Sequence, residues 1–329
     1  MRNDSEHWIR AAATALLCGL AVALQSCTDS EARQPAATGS GNDKYCTRTA
    51  DAVGDACAAE AMDDHLIAVA NCINVGDDDA RAACDEQADE ALAEAQEECG
   101  EQTAARAELC AVLGEARYDP AIDPLQFVDP TLIGTAIAPN PYLSLVPGYR
   151  RVYENGEETI TVVVTDQTVE ILGVTCVVVR DTATEDGEVI EDTDDWFAQD
   201  LEGNVWYFGE LSRNYEDGQL VDLEGSFKAG VDGAKPGIVM KATPQVGDVY
   251  RQEWALGDAE DLAEVISTTA SESTAAASCD GNCLQTRDFT PLEPGTSEYK
   301  FYAPGIGEIV AYHVEEPEER EELVEYGAE

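Results

Sequence analysis

Between residues 43 and 117 the apolar positions are mostly Ala and Cys and suit helices, whereas from 149 to 314 they gather into short β-branched runs. Turn residues break those later runs about every ten positions, the spacing of an antiparallel sheet. The chain therefore reads as α+β: a helical hairpin followed by a mainly antiparallel, strongly curved β domain, half-barrel or sandwich-like, of roughly ten strands.

The hairpin is carried by its cysteines. Cys46, Cys57, Cys72, Cys84, Cys99 and Cys110 are separated by 11, 15, 12, 15 and 11 residues, a series that reads the same from either end. Two antiparallel helices turning near residue 78 would place Cys46 opposite Cys110, Cys57 opposite Cys99 and Cys72 opposite Cys84. Gly76 stops a helix, Asp77 caps the next, and Asp78 and Asp79 complement its positive end. The same symmetry sets Ala61 against Ala95 and Ala68 against Ala88, small residues that allow the close approach a disulfide needs. No two of these cysteines stand at the short spacing of structural zinc ligands. Beyond them, His65 reads as an ordinary surface residue, and the outer faces, such as "DEQADEALAEAQEE", as solvated acid.

From 118 to 148 the prolines at 120, 124, 130, 139, 141 and 147 exclude long helices and central strands, which leaves a wrapping connector. In the β domain, Glu185-Asp186-Gly187 and Glu216-Asp217-Gly218 are hairpin turns. Residues 315–329 read as an acidic tail. Three cysteines lie in this half. Cys176 and Cys283 sit in strand-like segments and are expected to pair, leaving Cys279 over; the alternative is a local Cys279 to Cys283 loop.

The N-terminus changes the picture of where the chain works. Ala11 to Leu24 is an uncharged Ala/Leu-rich run between Arg10 and a polar stretch, too short to span a bilayer and suited to an export signal of residues 1–26. Leu24-Gln25-Ser26-Cys27 resembles a bacterial lipobox, which makes Cys27 the expected lipidation site and 27–42 a flexible tether. The membrane would then be a partner through the lipid anchor alone, facing the periplasm or the cell surface. Nine cysteines after Cys27 agree with an oxidising compartment. The net charge of -48 repels nucleic acid and favours solubility or a cationic protein partner.

Several ordered blocks, "NPYLSLVPG", "GVTCVVVRD", "DWFAQDLEGNVWYFGE", "AGVDGAKPGIVM", "GDVYRQEW" and "TPLEPGTSEYKFYAPGIG", together resemble a widespread family of bacterial secreted proteins and lipoproteins over about residues 139–313. The resemblance implies an exported module and supplies no reaction; the cysteine-rich hairpin lies outside it.

The segment 195–210 concentrates aromatic rings and carboxylates. With Leu201-Glu202-Gly203 as a three-residue loop, Phe197 pairs with Tyr207 on one face, and Trp196 with Phe208 and Ala198 with Trp206 on the other. These five rings form a candidate ligand face. The same register sets Asp194 across from Glu210, a like-charge pair that water, a shared proton or a cation would relieve. A weak Ca²⁺ site of Asp194 and Glu210, with Asp192 beside them, is the candidate metal site; no other cofactor is expected.

Catalysis finds little support. Beyond the signal the histidines are His65 and His313, in different modules, so no Ser-His-Asp or Cys-His set is visible. The expected function is non-catalytic binding, of an apolar small molecule or a protein partner, held off the membrane. A surface scaffold and a carboxylate-based hydrolase are the alternatives.

Overall fold

The computed structural model describes residues 44–156 and 158–328. The export signal, Cys27 and the tether lie outside them. Two helices, α1 (Tyr45–Cys72) and α2 (Asp78–Leu113), form the antiparallel hairpin. The turn between them has Asp77 as a true cap, its carboxylate accepting from the Ala80 amide at 2.9 Å. Bridges join Cys46 to Cys110, Cys57 to Cys99 and Cys72 to Cys84, with Cα separations of 5.5, 5.7 and 5.5 Å. Gly54 permits that closeness, since a Cβ there would meet Thr103 Oγ1 at 2.2 Å. His65 is more than a surface residue: its Nδ1 donates to the Ala88 carbonyl across the hairpin at 3.0 Å.

No described helix is long and apolar enough to cross a membrane. Sixteen strands follow among the described residues, more than the ten the pattern suggests, because short strands of two to four residues join the long ones. In chain order they are β1 (Tyr149–Asn155), β2 (Glu158–Ile171), β3 (Val174–Glu185), β4 (Glu188–Gln199), β5 (Val205–Leu211), β6 (Asn214–Glu216), β7 (Gln219–Asp222) and β8 (Phe227–Lys228). The rest are β9 (Lys235–Met240), β10 (Val249–Arg251), β11 (Glu253–Trp254), β12 (Leu262–Ser273), β13 (Ser278–Phe289), β14 (Glu298–Ala303), β15 (Gly307–His313) and β16 (Arg320–Ala328). All pair antiparallel in one sheet whose main path is β10-β12-β13-β14-β15-β16-β1-β2-β3-β4-β5-β9-β11, with β6 on β4, β7 on β6 and β8 on β5. Its two ends, β10 and β11, are consecutive in the chain with only Gln252 between them. One extended segment thus joins both edges, and the sheet curls into a nearly closed barrel.

The expected acidic tail is instead β16, a stave between β15 and β1. Alternation hidden among its glutamates decides this: Leu323 is buried and Glu321 faces the same interior. The hairpin docks on the barrel through Arg106, which forms a buried bidentate pair with Glu260 at 2.7 to 3.1 Å. Gln102 Nε2 adds a bond to the Leu292 carbonyl at 3.0 Å.

In the β domain the pairing follows the local alternative and not the first expectation. Cys279 bonds Cys283, and Cys176 is free and buried. The physical reason is the pleat: Cys283 belongs to the interior core, whereas Cys176 packs in a separate cluster on the outer face with Ile171 and Phe208. Burial in that apolar cluster pushes the Cys176 thiol up to about 12.

Candidate functional site

The hairpin of β4 and β5 turns at Asp200 to Asn204 as expected, with Gly203 at φ 92°. Asp200 is more than a solvated turn acid, because its carboxylate accepts from the Glu202 and Asn204 amides and from Trp206 Nε1 at 2.9 Å. Phe197 pairs with Tyr207, and Ala198 with Trp206. Beyond them the register shifts by one residue between Asp195 and Phe197, so Asp195 opposes Glu210 and Asp194 opposes Leu211. Trp196 therefore has no direct partner in Phe208. Gly209 causes the bulge: at φ 126°, a Cβ there would meet the Phe227 carbonyl oxygen at 2.2 Å.

This bulge undoes the candidate calcium site. A one-residue shift puts Asp194 and Glu210 on opposite faces. Asp194 is held by Arg180 Nη2 at 2.8 Å and Arg213 Nη2 at 3.0 Å, with Asp192 beside the same guanidiniums. Burial would raise Asp194, but hydrogen bonds from the two arginines overcome it and hold the carboxyl below its usual range.

The five aromatic residues likewise split between the faces. Trp196, Trp206 and Phe208 lie outside, covered by the connector through Phe127, which stands edge-on to Phe208 at 5.6 Å and to Trp206 at 6.1 Å. They form a packed outer cluster, and Phe208 is fully buried. Phe197 and Tyr207 face the barrel interior, stacked at 4.6 Å.

That interior holds a cavity of about 490 Å³. Its walls follow from period-two patterning along the staves. Val162 and Val164 of β2, Val179 of β3, Phe197 of β4 and Met240 of β9 make an apolar region. The connector adds to it by inserting Leu143 and Leu145 into the barrel, Leu145 being 1% exposed. Asn140 and Gln199 fix that insertion: Gln199 Oε1 accepts from the Asn140 amide at 3.0 Å, and Gln199 Nε2 donates to the Ala138 carbonyl at 2.9 Å.

Two residues further along several of the same staves the interior turns acidic. Val179 is followed by Asp181, Phe197 is preceded by Asp195, and Leu323 by Glu321. Glu253, Asp261, Asp288, Glu293, Glu298 and Glu308 complete the acidic wall, against which stand Lys300 and Arg151. Lys300 Nζ lies 3.2 Å from Glu298 and 4.0 Å from Asp288. Two cations cannot neutralise so many acids, and burial pushes the remainder up. Asp181 rises to about 7 through burial and repulsion from Glu191. Glu308 also rises to about 7 through burial, and Glu321 to about 8 through burial and the charge of Glu308.

At one side of this wall Tyr207 Oη lies 2.5 Å from Asp195 and 2.7 Å from Glu210. A phenol has one proton to donate, so the second contact requires a protonated carboxyl as donor. Burial, then repulsion between the two acids, raises Asp195 well above its usual range, so the pair shares a proton with Tyr207 as its bridge. Several buried polar groups lack partners among the described residues. Arg151, 5% exposed, has no acceptor for Nε or Nη1, and Asp288 Oδ1 has no donor. Nothing in the sequence runs marks this site, because its acids come from separate strands, each of which reads as an ordinary half-buried stave.

No protein-family model matches the chain, and no curated relative does. Among solved structures it is similar to a Bacteroides fragilis protein with a YmcC-like fold, described as exported, at 15% identity. That match covers 57% of this chain and 97% of the other, with a TM-score of 0.32.

Proposed function

We propose that this protein is an exported, lipid-anchored binding module whose barrel encloses a small amphiphile. The apolar body lies against Val162, Val164, Phe197 and Met240, and a donor-rich, cationic head meets the acidic wall. The observation that carries this reading is the change from apolar to acidic across one cavity of about 490 Å³, a volume within the range of small-ligand sites. An ammonium head would supply the donor that Asp288 Oδ1 lacks and the charge that the wall needs. The Cys27 anchor and an oxidising compartment are the setting of this reading. The export signal, the lipobox and the paired cysteines support that setting.

Native mass spectrometry of the purified chain, followed by titration with octylamine, octan-1-ol and octanoate, tests the reading. Octylamine is expected to bind one per protein and at least ten-fold tighter than octanoate, and Asp288→Asn should weaken it several-fold. Absence of saturable binding by any of the three would overturn the proposal.

A further inference from the structure

A second cavity, of about 520 Å³, lies between the base of the helical hairpin and the outer wall of the barrel. Its chemistry is the inverse of the rest of the molecule. The chain carries 67 acidic against 19 basic residues, yet the walls of this cavity contain Arg117, Lys235 and Arg251 and no carboxylate. The remaining surface is largely aromatic, with Tyr45, Tyr118, Trp206 and Trp254 among its walls.

Arg251 is the centre of the arrangement. Its guanidinium stacks over the Trp254 ring at 4.4 Å and stands 5.8 Å from the Tyr118 ring, and those two rings are 5.0 Å apart. Its Nη1 is buried without an acceptor. Burial lowers its affinity for the proton, and Glu260, whose charge opposes that, is taken up by the bidentate contact with Arg106 and by the Gly257 amide at 2.9 Å. The other two cations frame the space. Lys235 Nζ is anchored to the Tyr118 carbonyl at 2.6 Å and to Asp119 at 2.9 Å, and Arg117 lies 3.7 Å over the Tyr45 ring.

A buried guanidinium with an unmet donor is costly to leave unpaired, and a protein this acidic could supply a carboxylate at almost any position. The cavity supplies none. A planar ring fits against the aromatic lining of the cavity, and an anionic group fits the fork of Arg251. We infer that this cavity is a binding site for a small aromatic anion, separate from the barrel interior and independent of what the barrel holds.

The test uses 2-naphthoate, 2-naphthalenemethanol and 2-naphthylmethylamine with the full chain at physiological ionic strength, read by calorimetry and by quenching of tryptophan emission. The expected result is one 2-naphthoate bound per protein, at least ten-fold tighter than the alcohol, with no saturable binding of the amine. Arg251→Met should bring naphthoate to the level of the alcohol. Lys235→Met, at a less buried position, should weaken it several-fold and keeps the test decisive if Arg251→Met fails to fold. Octylamine should not compete. Equal binding of acid and alcohol, no saturable binding of 2-naphthoate, or naphthoate binding unchanged in both variants would overturn the inference.

Discussion

The hairpin and the barrel are held by different physics. In the hairpin the buried apolar residues are Ala50, Ala61, Ala88, Leu109 and bridged cysteines, so side-chain burial contributes little and three covalent links stand in for a core. In the barrel, Phe208, Leu145, Met240, Leu262, Leu284, Ile309 and Leu323 are almost entirely removed from water. The contrast shows how one chain can set a covalently pinned hairpin beside a ligand-sized body. The hairpin needs only its bridges, whereas the body needs a wall that closes on itself and leaves a space within it.

Reduction should separate the two most sharply. In the chain-entropy picture each hairpin bridge is worth ~3 to 4 kcal/mol, and the span between Cys57 and Cys99 has little else to hold it. A reductant is expected to remove much of the helical circular dichroism while tryptophan emission from the barrel stays native; simultaneous loss of both would show that the regions are not distinct. The Cys279–Cys283 bridge closes a separation of only 4 residues and should matter less. Next in size, Phe208→Ala should destabilise the barrel by about 3 to 5 kcal/mol in urea, through loss of packing against Phe127, and leave the helical signal in place at denaturant levels that unfold the barrel.

A smaller effect concerns pH. Asp181 and Glu308 in the folded chain titrate at about 7 and Glu321 at about 8, above the usual carboxyl range of about 4. Between those limits the folded state holds protons that the unfolded state has lost. This contribution is fully present below the unfolded values and is lost as pH rises through the folded ones. The barrel should therefore melt higher at mildly acidic pH than at alkaline pH, by roughly 5 °C or more, while the hairpin, whose helical carboxylates are exposed to water, shifts little. A barrel transition that rises with pH would contradict the protonated wall.

Much of the architecture was legible because it rests on local or symmetric signals. The mirrored cysteine spacing specified the hairpin, and Asp186-Gly187 and Asp217-Gly218 adopt the positive φ values that two-residue turns need. The misreadings share a cause. Asp194 lost Glu210 as its partner through a one-residue bulge at Gly209, which flips every side chain beyond it, and no run of residues announces a bulge. Cys176 missed Cys283 because the two point to opposite faces of the sheet. The β16 stave was hidden by its charge: glutamates such as Glu321 face an acidic cavity, so the usual rule that charge means solvent failed there. The cavity itself depends on how eleven staves come together, and no single strand contains it.

Amide hydrogen exchange with and without octylamine tests the proposed division between pinned hairpin and binding barrel most directly. Protection is expected to increase on β3, β4, β13 and β14, whose Asp181, Asp195, Asp288 and Lys300 line the cavity, and to stay constant along α1 and α2. No change in those strands at saturating octylamine, or a change confined to the helices, would contradict the account.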